Sequence, residues 1–191
     1  MDADWSVELG ADDPALEIPW SSPDGSQRYI DLSQDLEALA EIPEAMQYPQ
    51  LSGFLVLING RSSPWLSAKC HVWLDDELGE AEQIYDAKLK MCSYIDLIRR
   101  DESERFSFEQ HEQWVKLATW RLHRQPKQSM ACELTVRRCW YHAGSRADED
   151  SIPGFYVTVY VFGYGNGEAQ AQASWAAGLT RVSFVLTQLK A

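Results

Sequence analysis

The chain lacks any run of eighteen or more apolar residues, so no segment is expected to cross a membrane as a helix. A basic-then-apolar leader is missing too. The first twenty residues, MDADWSVELGADDPALEIPW, are acidic, and a cytoplasmic location is expected. There are no internal repeats or low-complexity tracts, which argues against solenoids and arrays. Cysteine is scarce: Cys70, Cys92, Cys132 and Cys139. An even count permits disulfides, but without an export signal free and mostly buried thiols are expected. Cys139-x2-His142 has the spacing of a ligand pair, yet it lies in an apparent strand and has no second pair. No metal and no cofactor is expected.

The familiar catalytic motifs are absent as well. In EQHEQW (109–114) the second histidine of an HExxH helix would fall on Trp114, and His111 is expected on the surface of an amphipathic helix. No Gly-x-Ser-x-Gly elbow occurs. DDELGEAE (75–82) lacks the alternating oxygen ligands and central turn of a calcium loop. An enzyme is therefore the less favoured reading.

Basic residues are nearly missing from the first fifty positions, where Arg28 stands against twelve Asp and Glu. That segment holds a charge of −11 out of the chain's −12. Concentrated like charge resists self-burial and attracts a basic partner. The same segment carries Trp5, Leu9, Leu16, Ile18 and Trp20, each worth about 1.5–3 kcal/mol if buried. Residues 1–27 are thus expected to form an irregular acidic arm, punctuated by Pro14, Pro19 and Pro23, that lies across a surface. Residues 28–191 are expected to form a single α+β domain.

What is present in the body reads as alternating helices and strand pairs. DLSQDLEALAEI suggests a short helix capped by Asp31 or Ser33. GFLVLI (53–58) and LSAKCHVWL (66–74) read as strands. Residues 75–100 run from acidic to basic, as a helix dipole favours, although CSYIDLI also suits a short strand. Residues 106–124 predict a helix opened by Ser107 and stopped by Pro126. MACELTVRRCWYH and FYVTVYVFGY alternate as strands, the second apolar on both faces and so placed near a sheet's centre. AGSRADEDSIPG between them reads as a polar loop. From Glu168 onward, Trp175, Leu179, Val182, Leu186 and Leu189 mark an amphipathic helix. The expected fold is α+β: a mainly antiparallel sheet of four to five strands with helices on one face.

Two functional candidates follow. The first is a non-catalytic binder of another macromolecule, contacting it through Trp5, Asp12, Asp13, Glu17 and Trp20. Chaperones, toxin-neutralising proteins and inhibitors that imitate nucleic acid share this profile. The partner is expected to be a protein, with a basic one favoured by charge. Nucleic acid is not expected, because the basic and aromatic residues of mid-chain (Arg99, Arg100, Arg121, Arg124, Arg137, Arg138, Trp120, Trp140) sit in a chain of charge −12. The second candidate is a small enzyme or ligand-binding domain at Gly163, Tyr164, Gly165, Asn166 and Gly167, where successive amides before a helix resemble an anion cradle. The spacing is GxGxG rather than GxGxxG, and Glu168 stands where a phosphate would approach. The plainer reading is a tight turn, with glycine supplying positive φ angles.

Overall fold

In the computed structural model, residues 1–142 and 151–189 are described. The strands are β1 (Asp2–Glu8), β2 (Leu16–Ile18), β3 (Trp65–Asp75), β4 (Leu89–Arg99), β5 (Met130–His142) and β6 (Ser151–Gly165). The helices are α1 (Pro43–Gln47), α2 (Pro49–Asn59), α3 (Phe108–His123) and α4 (Glu168–Gln188). Short 3-10 turns occupy Glu37–Glu41, Glu80–Tyr85 and Glu102–Phe106.

The fold is α+β, built on one six-stranded sheet in the order β1-β5-β6-β4-β3, with β2 also on β5. Pairings among β3, β4, β6 and β5 are antiparallel, while β1 and β2 run parallel to β5. The expected mainly antiparallel sheet is therefore mixed, because the N-terminal segment supplies two strands. β6 is central, as its two apolar faces require.

One face of the sheet carries the main core. α4 lays Ala171, Trp175, Leu179, Val182 and Leu186 over Val157, Val159 and Val161 of β6, and α2 and α3 add Leu51, Phe54, Leu55, Val115, Ala118 and Leu122. Trp175 is fully buried, and its indole N–H donates to Ser93 Oγ at 2.8 Å, so the ring is buried with its polar atom satisfied. The α3 cap forms as expected, with Ser107 Oγ accepting from the Gln110 amide.

Several expectations are corrected. Residues 1–27 are not irregular throughout: Met1 and Ala3 are buried, and Asp2–Glu8 pairs along β5 from Ala131 to Arg137. GFLVLI is helical, not extended. Pro49 starts α2, and Leu51, Phe54, Leu55 and Ile58 fall on one buried face at helical spacing. The helix expected over 75–100 is replaced by the 3-10 turn Glu80–Tyr85, a left-handed Asp86 and strand β4. Residues 31–42 hold only the turn Glu37–Glu41, begun at Leu36. Of the polar loop, residues 143–150 lie outside the described residues, and Ser151–Gly154 belongs to β6.

Candidate functional site: the open face of the sheet

Strand pairing decides which side chains share a face. Val157, Val159, Val161, Gly163 and Gly165 of β6 point to α4. Tyr156, Thr158, Tyr160, Phe162 and Tyr164 therefore point the other way. Their register partners join them: Cys92, Tyr94 and Asp96 from β4, Lys69, His71 and Trp73 from β3, Glu133, Thr135 and Arg137 from β5, and Asp4, Ser6 and Glu8 from β1.

The two ends of this face are closed by the chain itself. At one end Leu16, Ile18 and Tyr29 pack against Leu66, Ile98, Cys139, Tyr141 and Tyr156 as a second small core. At the other, Tyr85 stacks on Tyr164 at 3.9 Å between centroids, and its hydroxyl donates to Asp2 at 2.7 Å. Glu82 there accepts from Tyr164 Oη at 2.8 Å and from Lys90 Nζ at 2.8 Å. Between the two ends, no helix among the described residues covers the sheet.

The uncovered strip carries an aromatic row. His71 stacks with Trp73 at 6.0 Å, Trp73 meets Tyr94 at 6.3 Å, Tyr94 meets Tyr160 at 6.3 Å, and Tyr160 stacks with Phe162 at 6.2 Å. His71 is exposed, and Trp73, Tyr94, Tyr160 and Phe162 are half-buried. Rings in a continuous half-exposed row leave apolar area in water that a monomer gains nothing by exposing.

A polar chain runs beside the row across four strands. Glu8 of β1 accepts from Arg137 Nε of β5 at 2.8 Å, and Arg137 Nη1 donates to Tyr160 Oη at 3.0 Å and Thr158 Oγ1 at 3.1 Å. Thr158 Oγ1 donates to Asp96 Oδ1 of β4 at 2.7 Å. Asp96 is 5% exposed, and burial pushes its carboxyl up to about 6, against the opposing pull of the Thr158 bond, Arg137 and Lys69. A carboxyl that changes protonation near neutrality beneath an accessible face can take or give a proton.

Beyond His71 the strip runs into a cleft of about 770 Å³ beside β3, lined by Trp20, Arg28, Glu44, Lys69, Cys70 and Tyr94 among others. His71 Nδ1 lies 2.9 Å from Glu44 Oε1. Burial pushes the Cys70 thiol up to about 12, which makes it a poor nucleophile at neutral pH. All four cysteines are free, three of them buried.

The residues picked from the sequence lie elsewhere or play other parts. Trp5 is on the helix-bearing side of β1, with Lys116 Nζ 4.9 Å from its ring. Trp20 sits by the opposite edge of the sheet, donating to Ala68 O at 2.6 Å, with Lys69 Nζ at 5.2 Å from its ring. Asp12 and Asp13 are in the turn between β1 and β2, where Asp13 accepts from the Gly10 amide. Glu17 of β2 pairs with His142. These five do not form one patch.

The glycines have a packing role. A Cβ on Gly163 would lie 2.0 Å from the Trp175 nitrogen, and one on Gly165 would lie 2.5 Å from the Ala171 nitrogen, so both let α4 press on β6. Gly163, Gly165 and Gly167 are not among the residues with positive φ, which corrects the expected turn chemistry. Tyr164 is buried, and the Asn166 amide donates to Gln170 Oε1 at 2.9 Å.

Other candidates resolve similarly. His111 is buried, not on the surface; its Nδ1 lies 2.8 Å from Ser107 O, and burial lowers its pKa, favouring the neutral ring. Arg100 clamps the end of α2 through the Asn59, Gly60 and Ser63 carbonyls, and Arg99 pairs with Glu104. The mid-chain basic belt is therefore partly internal. Cys139 and His142 fall on opposite faces of β5 by alternation, and the described residues contain no cluster of three or more metal-ligating side chains.

No protein-family model, curated protein or solved structure matches this chain significantly. The open face must be read from its own chemistry.

Proposed function

We propose that the protein works by binding another macromolecule, a protein with a basic contact region, on the open face of its sheet. The observation that carries this reading is the half-exposed row His71–Trp73–Tyr94–Tyr160–Phe162. Aromatic side chains on a rigid platform are the usual energetic anchors of protein contacts. Charge supports the choice of partner. The face carries Asp4, Glu8, Asp75, Asp96 and Glu133 against Lys69, Lys90 and Arg137. Lys90 is already held by Asp75 and Glu82, and Arg137 by Glu8. Few free cations remain to meet phosphates, so a polyanion is disfavoured and a basic protein is steered inward.

In this reading the acidic N-terminal segment frames the surface, supplying Asp4 and Glu8 along one edge, instead of reaching out as a free arm. The test compares capture of partners by the wild-type protein, by Trp73→Ala with Tyr94→Ala, and by Phe184→Ala on the outer side of α4, where Phe184 is 62% exposed. Loss of each anchor weakens the complex by about 2 kcal/mol or more. The double variant is expected to lose partners that Phe184→Ala keeps; identical capture by all three would contradict the proposal.

A second reading has one specific support, the Asp96 carboxyl held near 6 beneath the same face, which suits general acid–base work on a bound ligand. A small enzyme or ligand-binding domain would then use this strip. The Gly163–Gly167 loop is the weaker location for it, since Gly163 and Gly165 are pressed beneath α4.

A further inference from the structure

Strand register lines up one row of side chains straight across the open face. His71 of β3 pairs with Tyr94 of β4, Tyr94 with Tyr160 of β6, Tyr160 with Glu133 of β5, and Glu133 with Asp4 of β1. The row passes from rings to carboxylates as it crosses the sheet. Most other charges nearby are engaged within the chain: Lys90 with Asp75 and Glu82, Arg137 with Glu8, Lys127 with Asp2, and Lys69 against the Trp20 ring. Among the described residues, Asp4 and Glu133 have no cation. Asp4 accepts from the Trp5 amide at 2.8 Å, and Glu133 from Ser6 Oγ at 3.1 Å.

The sheet's own bonding limits what can lie along this row. The backbones of β4, β6 and β5 are paired on both sides, so a chain resting on them gains no main-chain bond from the strands. Hydroxyls are the donors on offer. Tyr94 Oη has no partner among the described residues, and Tyr160 Oη, which accepts from Arg137, keeps its own proton to donate. In-line hydroxyls suit a polyproline II segment, whose carbonyls are unpaired and whose prolines have no N–H to satisfy. An α-helix has its carbonyls already bonded and makes no use of them. Spacing agrees. Polyproline II repeats every three residues, about 9.3 Å, and two strand intervals are about 9.6 Å. Residues three apart then share one side of the segment and fall above β3, β6 and β1 in turn. The first two meet rings, and the third meets the carboxylates of Asp4 and Glu133.

Resting on the reading that the open face binds a basic protein, we propose that the partner's contact is a proline-rich polyproline II segment crossing the strands along His71–Tyr94–Tyr160–Glu133–Asp4, with a lysine or arginine at the Asp4 end. Prolines pack on the rings at little entropic cost, because the segment is already extended. The two unmatched carboxylates fix its direction.

The test uses the full-length protein, isotope-labelled for NMR, and capped heptapeptides. The first has proline at its first, second, fourth and fifth positions, lysine last and alanine elsewhere. A second ends in glutamate instead, and a third has glycine in place of every proline. The first is expected to shift the amides of Tyr94, Tyr160 and Glu133. It should bind about tenfold more tightly than the glycine peptide. It should also bind about fivefold or more tightly than the glutamate peptide at 0.15 M salt, where charges beyond about 8 Å are screened. Asp4→Asn with Glu133→Gln is expected to cut the lysine preference to about twofold or less and to leave the proline preference intact. A spin label on the lysine-free end should broaden His71, and one beside the lysine should broaden Asp4. Broadening that runs along β6 from Tyr164 toward Tyr156 would overturn the crossing. No binding of the proline peptide at millimolar concentration, or equal affinity for the glycine peptide, would overturn the polyproline segment. A lysine preference untouched by the double variant would overturn the part given to the carboxylates. Partner capture that depends on Trp73 and Tyr94 while the proline peptide fails rejects this segment and keeps the open-face reading; capture indifferent to both rings rejects that reading as well.

Discussion

Asp96→Asn separates the electrostatics of the open face from its packing. Asp96 is buried and accepts from Thr158 Oγ1, a bond that the Asn carbonyl oxygen can also accept. Its folded pKa of about 6 stands above the ordinary 3.8. The sign follows from proton counting. Below about pH 4 the carboxyl is protonated in both folded and unfolded chains and makes no difference. Between about 4 and 6 the unfolded chain has released the proton while the folded chain keeps it, so stability falls as pH rises. Above about 6 both have released it and the loss is complete. A gap of about two pH units corresponds to about 3 kcal/mol. Asparagine never ionises, so the variant escapes that loss. Urea unfolding from pH 3.5 to 8 measures it. The variant is expected to match wild type within about 1 kcal/mol near pH 3.5 and to exceed it by about 3 kcal/mol at pH 7. A difference between the two proteins that stays constant with pH, or that turns against the variant as pH rises, would refute the reasoning.

Other outcomes follow from the same geometry. Gly163→Ala drives a methyl into the α4 backbone and is expected to destabilise by about 3 kcal/mol or more, a fall of about 10 °C in Tm by calorimetry. Gly53→Ala, a helical glycine with open space around its Cα, is expected to gain about 0.5–1 kcal/mol. Deleting residues 1–8 removes β1, bares the edge of β5 and strips Arg137 of Glu8; aggregation and a loss of several kcal/mol are expected by light scattering and denaturant titration. Raising salt from 50 to 500 mM is expected to slow association with a basic partner much more than dissociation, which stopped-flow or surface resonance kinetics would resolve.

Much of the fold was legible where one period dominated. α4 announces itself by Trp175, Leu179, Val182 and Leu186, and β6 by its two apolar faces. α2 was hidden because GFLVLI, cut off at Gly53, reads as a buried strand. Extended back to Pro49, it shows Leu51, Phe54, Leu55 and Ile58 at helical spacing. β1 was hidden by charge. In DADWSVE the acids suggest a solvated arm, yet Asp2, Asp4, Ser6 and Glu8 alternate strictly with Ala3, Trp5 and Val7. β4 was masked by the acid-to-base gradient around it, although Lys90, Cys92, Tyr94 and Asp96 alternate with Met91, Ser93, Ile95 and Leu97.

The open face was less legible for a different reason. Its members come from β1, β3, β4, β5 and β6, and only strand register brings them together. No local pattern couples Trp73 to Tyr160 or Glu8 to Asp96. The acidic bias of the N-terminal segment pointed to a basic partner, and that element of the reading carries over to the proposal. Trp5 and Trp20 stood out as rare, large residues in a polar stretch, but both are engaged by the chain's own Lys116 and Ala68.

The most direct measurement is site-specific photocrosslinking in cells, with benzoylphenylalanine placed in turn at His71 on the open face and at Phe184 on the outer side of α4. The account predicts partner adducts from position 71 and none from position 184. Adducts from 184 alone would contradict it.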